Sequence, residues 1–157
     1  MKALILYDSV FGNTGKISQV MHEELQTICE SKLKSVDSFS IADLNSLELI
    51  VVGSPTRAFT MTPKMKTLLK SLPKEKMKGI RYLTFDSRMN VAEVDNKFLT
   101  FMAGTFGYAS EKIAKMLHKK DCRAAGNSEV FYVKESEGPL LDGELEKARK
   151  WIRQYVK

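Results

Sequence analysis

Two hydrophobic periods alternate along the whole chain. Apolar runs of strand length fall at roughly 2–8, 33–37, 47–53, 80–86 and 129–134, and between them apolar residues recur every three or four positions. The helical stripes are Ile17, Val20, Met21, Leu25 and Ile28; then Met65, Leu68, Leu69 and Leu72; then Ala109, Ile113, Met116 and Leu117; and finally Leu141, Leu145, Ala148, Ile152 and Tyr155. Short apolar runs separated by amphipathic helices predict an α/β fold, a three-layer sandwich with a parallel sheet covered by helices on both faces. Between the second and third runs, Ser38 to Ser46 leaves room for only one or two helical turns. No repeat, low-complexity tract or linker interrupts the pattern, so residues 1–157 read as a single domain. An open five-stranded sheet in the order 2-1-3-4-5 binds ligands at the carboxyl ends of its strands, beside the switch point between strands one and three.

Three loops meet at that edge. The first follows Ala3-Leu4-Ile5-Leu6-Tyr7 and runs Asp8-Ser9-Val10-Phe11-Gly12-Asn13-Thr14-Gly15-Lys16 into the first helical stripe. A helix start carries unsatisfied N–H donors and the positive end of the dipole, and Ser9 and Thr14 add hydroxyls, so the turn reads as an anion cradle, most simply for a phosphate. Two other phosphate motifs fail on spacing. Gly15-Lys16 ends like a Walker loop, but Val10 stands where that loop needs its first glycine and Ile17 where it needs a hydroxyl; the dinucleotide fingerprint fails because only Gly12 and Gly15 are glycines in this turn. The same residues would also suit a simple helix cap. The second loop is Gly53-Ser54-Pro55-Thr56-Arg57-Ala58-Phe59-Thr60-Met61-Thr62-Pro63, and the third starts at Asp86-Ser87-Arg88-Met89 and runs some twenty residues before the next strong helix. Loops of that length usually bind or cover something, and Phe98, Leu99, Phe101 and Met102 within it predict a short helix that either covers the pocket or patches the core.

Composition narrows the class. With 157 residues, 43% of them hydrophobic, the chain can bury a full core. Cys29 and Cys122 lie far apart, and Met1-Lys2 leads into the first strand with neither a charged leader nor a long apolar segment, which predicts a reducing cytoplasmic setting. No apolar stretch approaches the ~18 residues that span a bilayer, so no membrane association is expected. The net charge of +6 calls for an acidic partner. Nucleic acid is not expected, because Lys64, Lys66, Lys70, Lys74, Lys76 and Lys78 surround an apolar helix face without interleaved aromatics for stacking. His22 and His118 have no Cys or His near them in sequence, so no metal site is expected. A sheet covered on both faces needs no second copy, which predicts a monomer.

These motifs together resemble the flavodoxin-like family. Strand one followed by SVFGNT is similar to that family's phosphate loop, and GSPTRAFTMTP after strand three is similar to the loop flanking its flavin ring. The tail from Ser136, SEGPLLDGELEKARKW, resembles the ending of stand-alone flavodoxin-domain proteins of bacteria and archaea. The resemblance implies FMN as cofactor, with Ser9, Val10, Phe11, Gly12, Asn13 and Thr14 holding its phosphate. It implies Pro55, Thr56, Arg57, Ala58 and Phe59 on one side of the ring and Phe85, Asp86, Ser87 and Arg88 on the other. It further implies electron transfer without a catalytic acid, base or nucleophile, and the basic balance of this chain predicts that the partner is an acidic redox protein, such as a ferredoxin-like donor or acceptor.

Three departures from the family pattern stand out. The only tryptophan is Trp151 in the last helix, where it is expected to pack; Asp86-Ser87-Arg88 replaces a glycine-rich turn; and the balance is basic rather than acidic. Ring stacking then falls to Phe59, Met61, Met89 or Tyr108, while Arg57 and Arg88 either favour a reduced, anionic ring or pair with Asp86 and Glu93. A receiver domain is excluded because Gly53-Ser54 stand where its acceptor aspartate would be, and a low-molecular-weight phosphatase because Ser35 and Ser128 replace the arginine of its Cys-x5-Arg loop. A quinone reductase built on the same loops stays open, as does an interaction module that has lost tight flavin binding.

Overall fold

The computed structural model describes residues 1–90 and 97–156. Strands β1 (Lys2–Tyr7), β2 (Glu30–Ser35), β3 (Leu49–Pro55), β4 (Arg81–Met89), β5 (Arg123–Ala124) and β6 (Glu129–Val133) form one sheet. Helices α1 (Asn13–Gln26), α2 (Pro63–Ser71), α3 (Lys74–Met77), α4 (Lys97–Phe106), α5 (Ala109–Lys119) and α6 (Glu144–Tyr155) connect and cover it. Every named pairing is parallel, in the order β2-β1-β3-β4-β5, with β6 also paired to β4. This is the expected order, with one refinement: the fifth strand is broken. β5 pairs with Arg81 and Tyr82, β6 pairs with Phe85 to Met89, and the turn-forming residues Gly126-Asn127-Ser128 lie between. The short crossover before β3 is a single 3₁₀ turn, Ile41–Leu44.

The sheet divides the core into two layers. On one side Leu4, Leu6, Ile50 and Val52 meet Met65 and Leu69 of α2 and Ile113 and Leu117 of α5. On the other, Ile5, Val51, Leu83 and Phe85 meet Ile17, Met21 and Leu25 of α1 and Trp151 and Ile152 of α6. The helical stripes fall on these layers except at three residues: Ile28 lies past the end of α1 and Leu145 sits in the first turn of α6, both exposed, while Leu141 precedes α6 and donates its N–H to the Tyr132 carbonyl at 2.9 Å. α4 forms where expected but does not patch the core. Leu99 reaches the cavity described below, whereas Phe98 and Phe101 face outward, 66% and 68% exposed. Trp151 packs edge-on against Phe85, Phe131 and Tyr155, as expected for a structural residue.

One close approach fixes how β3 sits beside β4. A Cβ placed on Gly53 would lie 2.1 Å from the Phe85 ring, and that ring cannot retreat because Phe131 and Trp151 enclose it. Gly53 thus makes room for the Phe85 ring in the α1/α6 layer, at the start of the second loop. Replacing it overpacks the core, which costs about 1–3 kcal/mol. Gly53→Ala is expected to lower the urea midpoint followed by Trp151 fluorescence, and an unchanged midpoint would contradict this packing account.

Candidate functional site

The carboxyl ends of β1, β3 and β4 open into a cavity of about 480 Å³ lined by residues of all three loops. One end is an array of donors. Gly12, in the left-handed region at φ 92°, is the N-cap of α1, a conformation that glycine adopts without steric cost. The N–H groups of Gly12 and Gly15 donate to Ser9 Oγ at 3.1 and 3.2 Å. With two donors already received, that hydroxyl has its own proton left to offer. Among the described residues no acceptor meets the N–H groups of Val10, Phe11, Asn13 or Thr14, all cavity-lining residues.

The surroundings of this loop are tied down by side chains. Asp8 accepts from the N–H of Ser9 at 2.9 Å and from Thr62 Oγ1 at 2.5 Å, so both carboxylate oxygens are engaged. Asn13 Nδ2 donates to the Glu137 carbonyl at 3.0 Å, fastening the loop to the segment after β6, and Thr14 Oγ1 meets Ser87 Oγ at 2.9 Å across the cavity floor. Clustered N–H donors, a hydroxyl proton and a helix start suit an anion.

The rest of the cavity is largely apolar, bordered by Phe11, Pro55, Ala58, Phe59, Met89, Leu99 and Tyr108. Its upper wall is strained. Arg57 and Thr60 exchange backbone hydrogen bonds of 2.8 and 3.1 Å around a two-residue turn in which Ala58 and Phe59 both have positive φ, 48° and 64°. Such turns favour Asn-Gly, and residues with a Cβ pay roughly 1–2 kcal/mol each there. What holds the turn is the start of α5: Lys112 Nζ donates to the Phe59 carbonyl at 2.7 Å, and the Ala109 N–H donates to Thr56 Oγ1 at 3.1 Å. Strain sustained by the surrounding structure is characteristic of ligand-binding loops.

Beneath the opposite wall lies a buried charge. Asp86 is fully buried and accepts from the Ser110 N–H at 3.1 Å, so it caps the start of α5 alongside Thr56. Arg88 Nε lies 3.3 Å from Asp86 Oδ1, and the Arg88 guanidinium stacks on Tyr108, 3.2 Å from the ring centroid. Burial pushes the Asp86 carboxyl above the usual range, opposed by the Arg88 charge and by hydrogen bonding to Ser110. Asp86 Oδ1 and Arg88 Nη1 are both buried without a hydrogen-bond partner.

Most residues expected at the site converge on the cavity: Ser9, Val10, Phe11, Asn13 and Thr14 from the first loop, Pro55 to Phe59 from the second, and Ser87 and Arg88 from β4. Gly12 shapes the first loop without lining the cavity. Three expectations change. Phe85 points to the other face of the sheet, into the α1/α6 layer, and Asp86 lies beneath the wall rather than in it. Met61 is likewise removed from the stacking candidates, because it is buried in the core. Arg88 pairs with Asp86, and Glu93 lies outside the described residues. Arg57 is exposed at the mouth, with its guanidinium 5.2 Å from the Phe11 ring centroid. Sequence reasoning missed Asp8, Val133, Ser136 and Glu137; the Gly138-Pro139 pair was the one signal that the chain turns back there.

Comparison with known proteins bears on the whole arrangement. A family model described as Flavodoxin domain matches residues 4–120. Among curated proteins none matches the sequence. Solved structures with the same fold include a flavodoxin from the domain Archaea, 17% identical with a TM-score of 0.76 over 99% of this chain and 96% of that one. Flavodoxin 2 from Bacillus cereus is 18% identical, TM-score 0.72, over 99% and 97%. Rubredoxin oxygen:oxidoreductase from Desulfovibrio gigas is 18% identical, TM-score 0.73, and this chain spans 35% of its length. The family match runs from β1 to the end of α5 and so takes in all three cavity loops: this chain belongs to the flavodoxin-domain family.

Proposed function

We propose that the chain binds FMN and carries electrons between redox proteins. The observation that carries this reading is the loop from Ser9 to Thr14, where, among the described residues, four N–H groups lacking acceptors and one free hydroxyl proton belong to residues that line a cavity whose remaining walls are largely apolar. A phosphate-bearing flavin matches that division into an anionic end and a flat apolar body. The residues present fit it: the nearest carboxylate on the loop, Asp8, is engaged by Ser9 and Thr62 and does not compete for the donors. When bound, the flavin supplies the redox chemistry.

The chain's own residues orient that group and set its electrostatics. Ser9 and the loop N–H groups hold the phosphate; Phe59, Met89 and Tyr108 are the side chains available to contact the ring. Thr56 and Asp86, by capping α5, fix both ring-flanking walls to one helix. Arg57 places a positive charge at the mouth, while the Arg88 charge is shared with Asp86. The net charge of +6, with Arg57 exposed at the mouth, would favour association with an acidic partner, such as a ferredoxin-like donor or acceptor, with rates that fall as salt rises. No helix among the described residues is long and apolar enough to cross a membrane, and a monomer in the cytoplasm fits this reading.

The direct test is titration of flavin-stripped protein with FMN and, in parallel, riboflavin, followed by quenching of flavin fluorescence. FMN is expected to bind far more tightly. Hydrogen bonds to charged groups contribute about 1.5–3 kcal/mol, so Ser9→Ala is expected to weaken FMN roughly 10- to 100-fold and leave riboflavin unchanged. Equal losses for the two flavins would contradict a phosphate role for Ser9. An exposed charge contributes up to about 1 kcal/mol, on the order of 40 mV for a one-electron couple. Arg57→Ala is therefore expected to lower the potential by that order at low ionic strength, with the difference vanishing at high salt; a salt-independent difference would place the effect elsewhere.

A further inference from the structure

Among the described residues, the only buried side-chain atoms left without a hydrogen-bond partner are Asp86 Oδ1 and Arg88 Nη1, and they belong to one ion pair. Arg88 lines the cavity and Asp86 does not, so a residue of the cavity wall is ion-paired to a carboxylate removed from water. Native interiors rarely leave such atoms unmatched, and a buried pair with open valences is a place where charge can be rearranged.

The groups facing Asp86 from each neighbouring element are few. Its own strand presents Arg88, and α5 presents the Ser110 N–H and, farther off, the Glu111 carboxylate. Its register partners are Ser54 on β3 and Val130 on β6, neither of them charged. One full positive charge therefore balances Asp86, and it is the charge nearest the cavity on that wall. A second anion arriving in the cavity competes for the same guanidinium, and burial already disfavours the ionised carboxylate.

We propose that Asp86 takes up a proton when the flavin in the adjoining cavity is reduced, with Arg88 as the residue that couples the two. This rests on the FMN reading above. In balanced form, two electrons from a low-potential redox protein and one proton from solvent reduce the neutral ring, leaving it with one negative charge. A second proton from solvent neutralises the Asp86 carboxylate. Arg88, released from its partner, then faces the reduced ring with its charge undivided. Asp86 acts through Arg88 and is a positioning residue.

The test measures the two-electron potential against pH, with dithionite as reductant, in FMN-loaded wild type and in Asp86→Asn. Each proton taken up changes the slope by about 30 mV per tenfold change in proton concentration. Wild type is expected to show twice the slope of Asp86→Asn between the two protonation midpoints of Asp86. Reduced-minus-oxidised infrared spectra of protein carrying isotope-labelled aspartate are expected to gain a protonated-carboxyl band in wild type alone. Should Asp86→Asn fail to fold, Arg88→Gln serves instead: it leaves Asp86 protonated in both redox states, so its slope is also expected to fall to the one-proton value. Equal slopes in wild type and variant, or no labelled carboxyl band on reduction, would overturn the proposal while FMN binding stood. Absence of FMN binding by wild type would remove the underlying reading and this proposal with it.

Discussion

The site depends on how helix starts at the carboxyl edge of the sheet are satisfied. Every α-helix begins with N–H groups that no residue of its own can accept. At α2 the Thr62 side chain accepts from Met65, and at α5 Thr56 and Asp86 accept from Ala109 and Ser110. At α1 the loop is folded by Ser9, which engages Gly12 and Gly15, and the N–H groups of Val10, Phe11, Asn13 and Thr14 are left over. Of these three helix starts, two are closed by the protein and that of α1 is open. The parallel sheet enforces this asymmetry, because it gathers three strand ends and the helices that follow them on one side.

The two closed starts serve the open one. Thr56 lies in one wall of the cavity and Asp86 beneath the other, so capping α5 ties both walls to one helix. The strained Ala58-Phe59 turn is held by the same helix through Lys112, and the buried Asp86–Arg88 pair lies where that helix meets β4. Backbone strain and a buried charge both weaken a fold that has no use for them. Here both occur at the cavity wall, which fits a scaffold that gives up some stability to keep its walls in place.

The sequence made the fold legible because its strands and helices differ in period and length. It revealed the first loop because Ser, Gly, Asn and Thr cluster where a strand-length run gives way to a helical stripe. It misplaced Phe85 for a physical reason: a central strand buried on both faces is apolar throughout, so alternation does not say which side a residue takes. Register decides it, since Asp86 on the α5 side puts Phe85 on the other. β4 also runs on to Met89 although Asp86-Ser87-Arg88 reads as a loop, because β3 pairs with it through Ser87 and β6 through Met89. β2 begins earlier than its apolar run because its edge position exposes Glu30 and Lys32. The apolar residues of α4 suggested a cover for the pocket or the core, and only tertiary placement shows Leu99 at the cavity with Phe98 and Phe101 outside.

In the proposed function, the donors left over at the start of α1 receive the phosphate of a flavin. Amide proton–nitrogen spectra of the flavin-stripped protein test it at the atoms concerned. FMN is expected to move the resonances of Val10, Phe11, Asn13 and Thr14 in the direction of new hydrogen bonds, whereas riboflavin leaves these four in place. If FMN left those four amides unmoved, or shifted them no more than riboflavin does, the loop would be a helix cap alone and the account would be wrong.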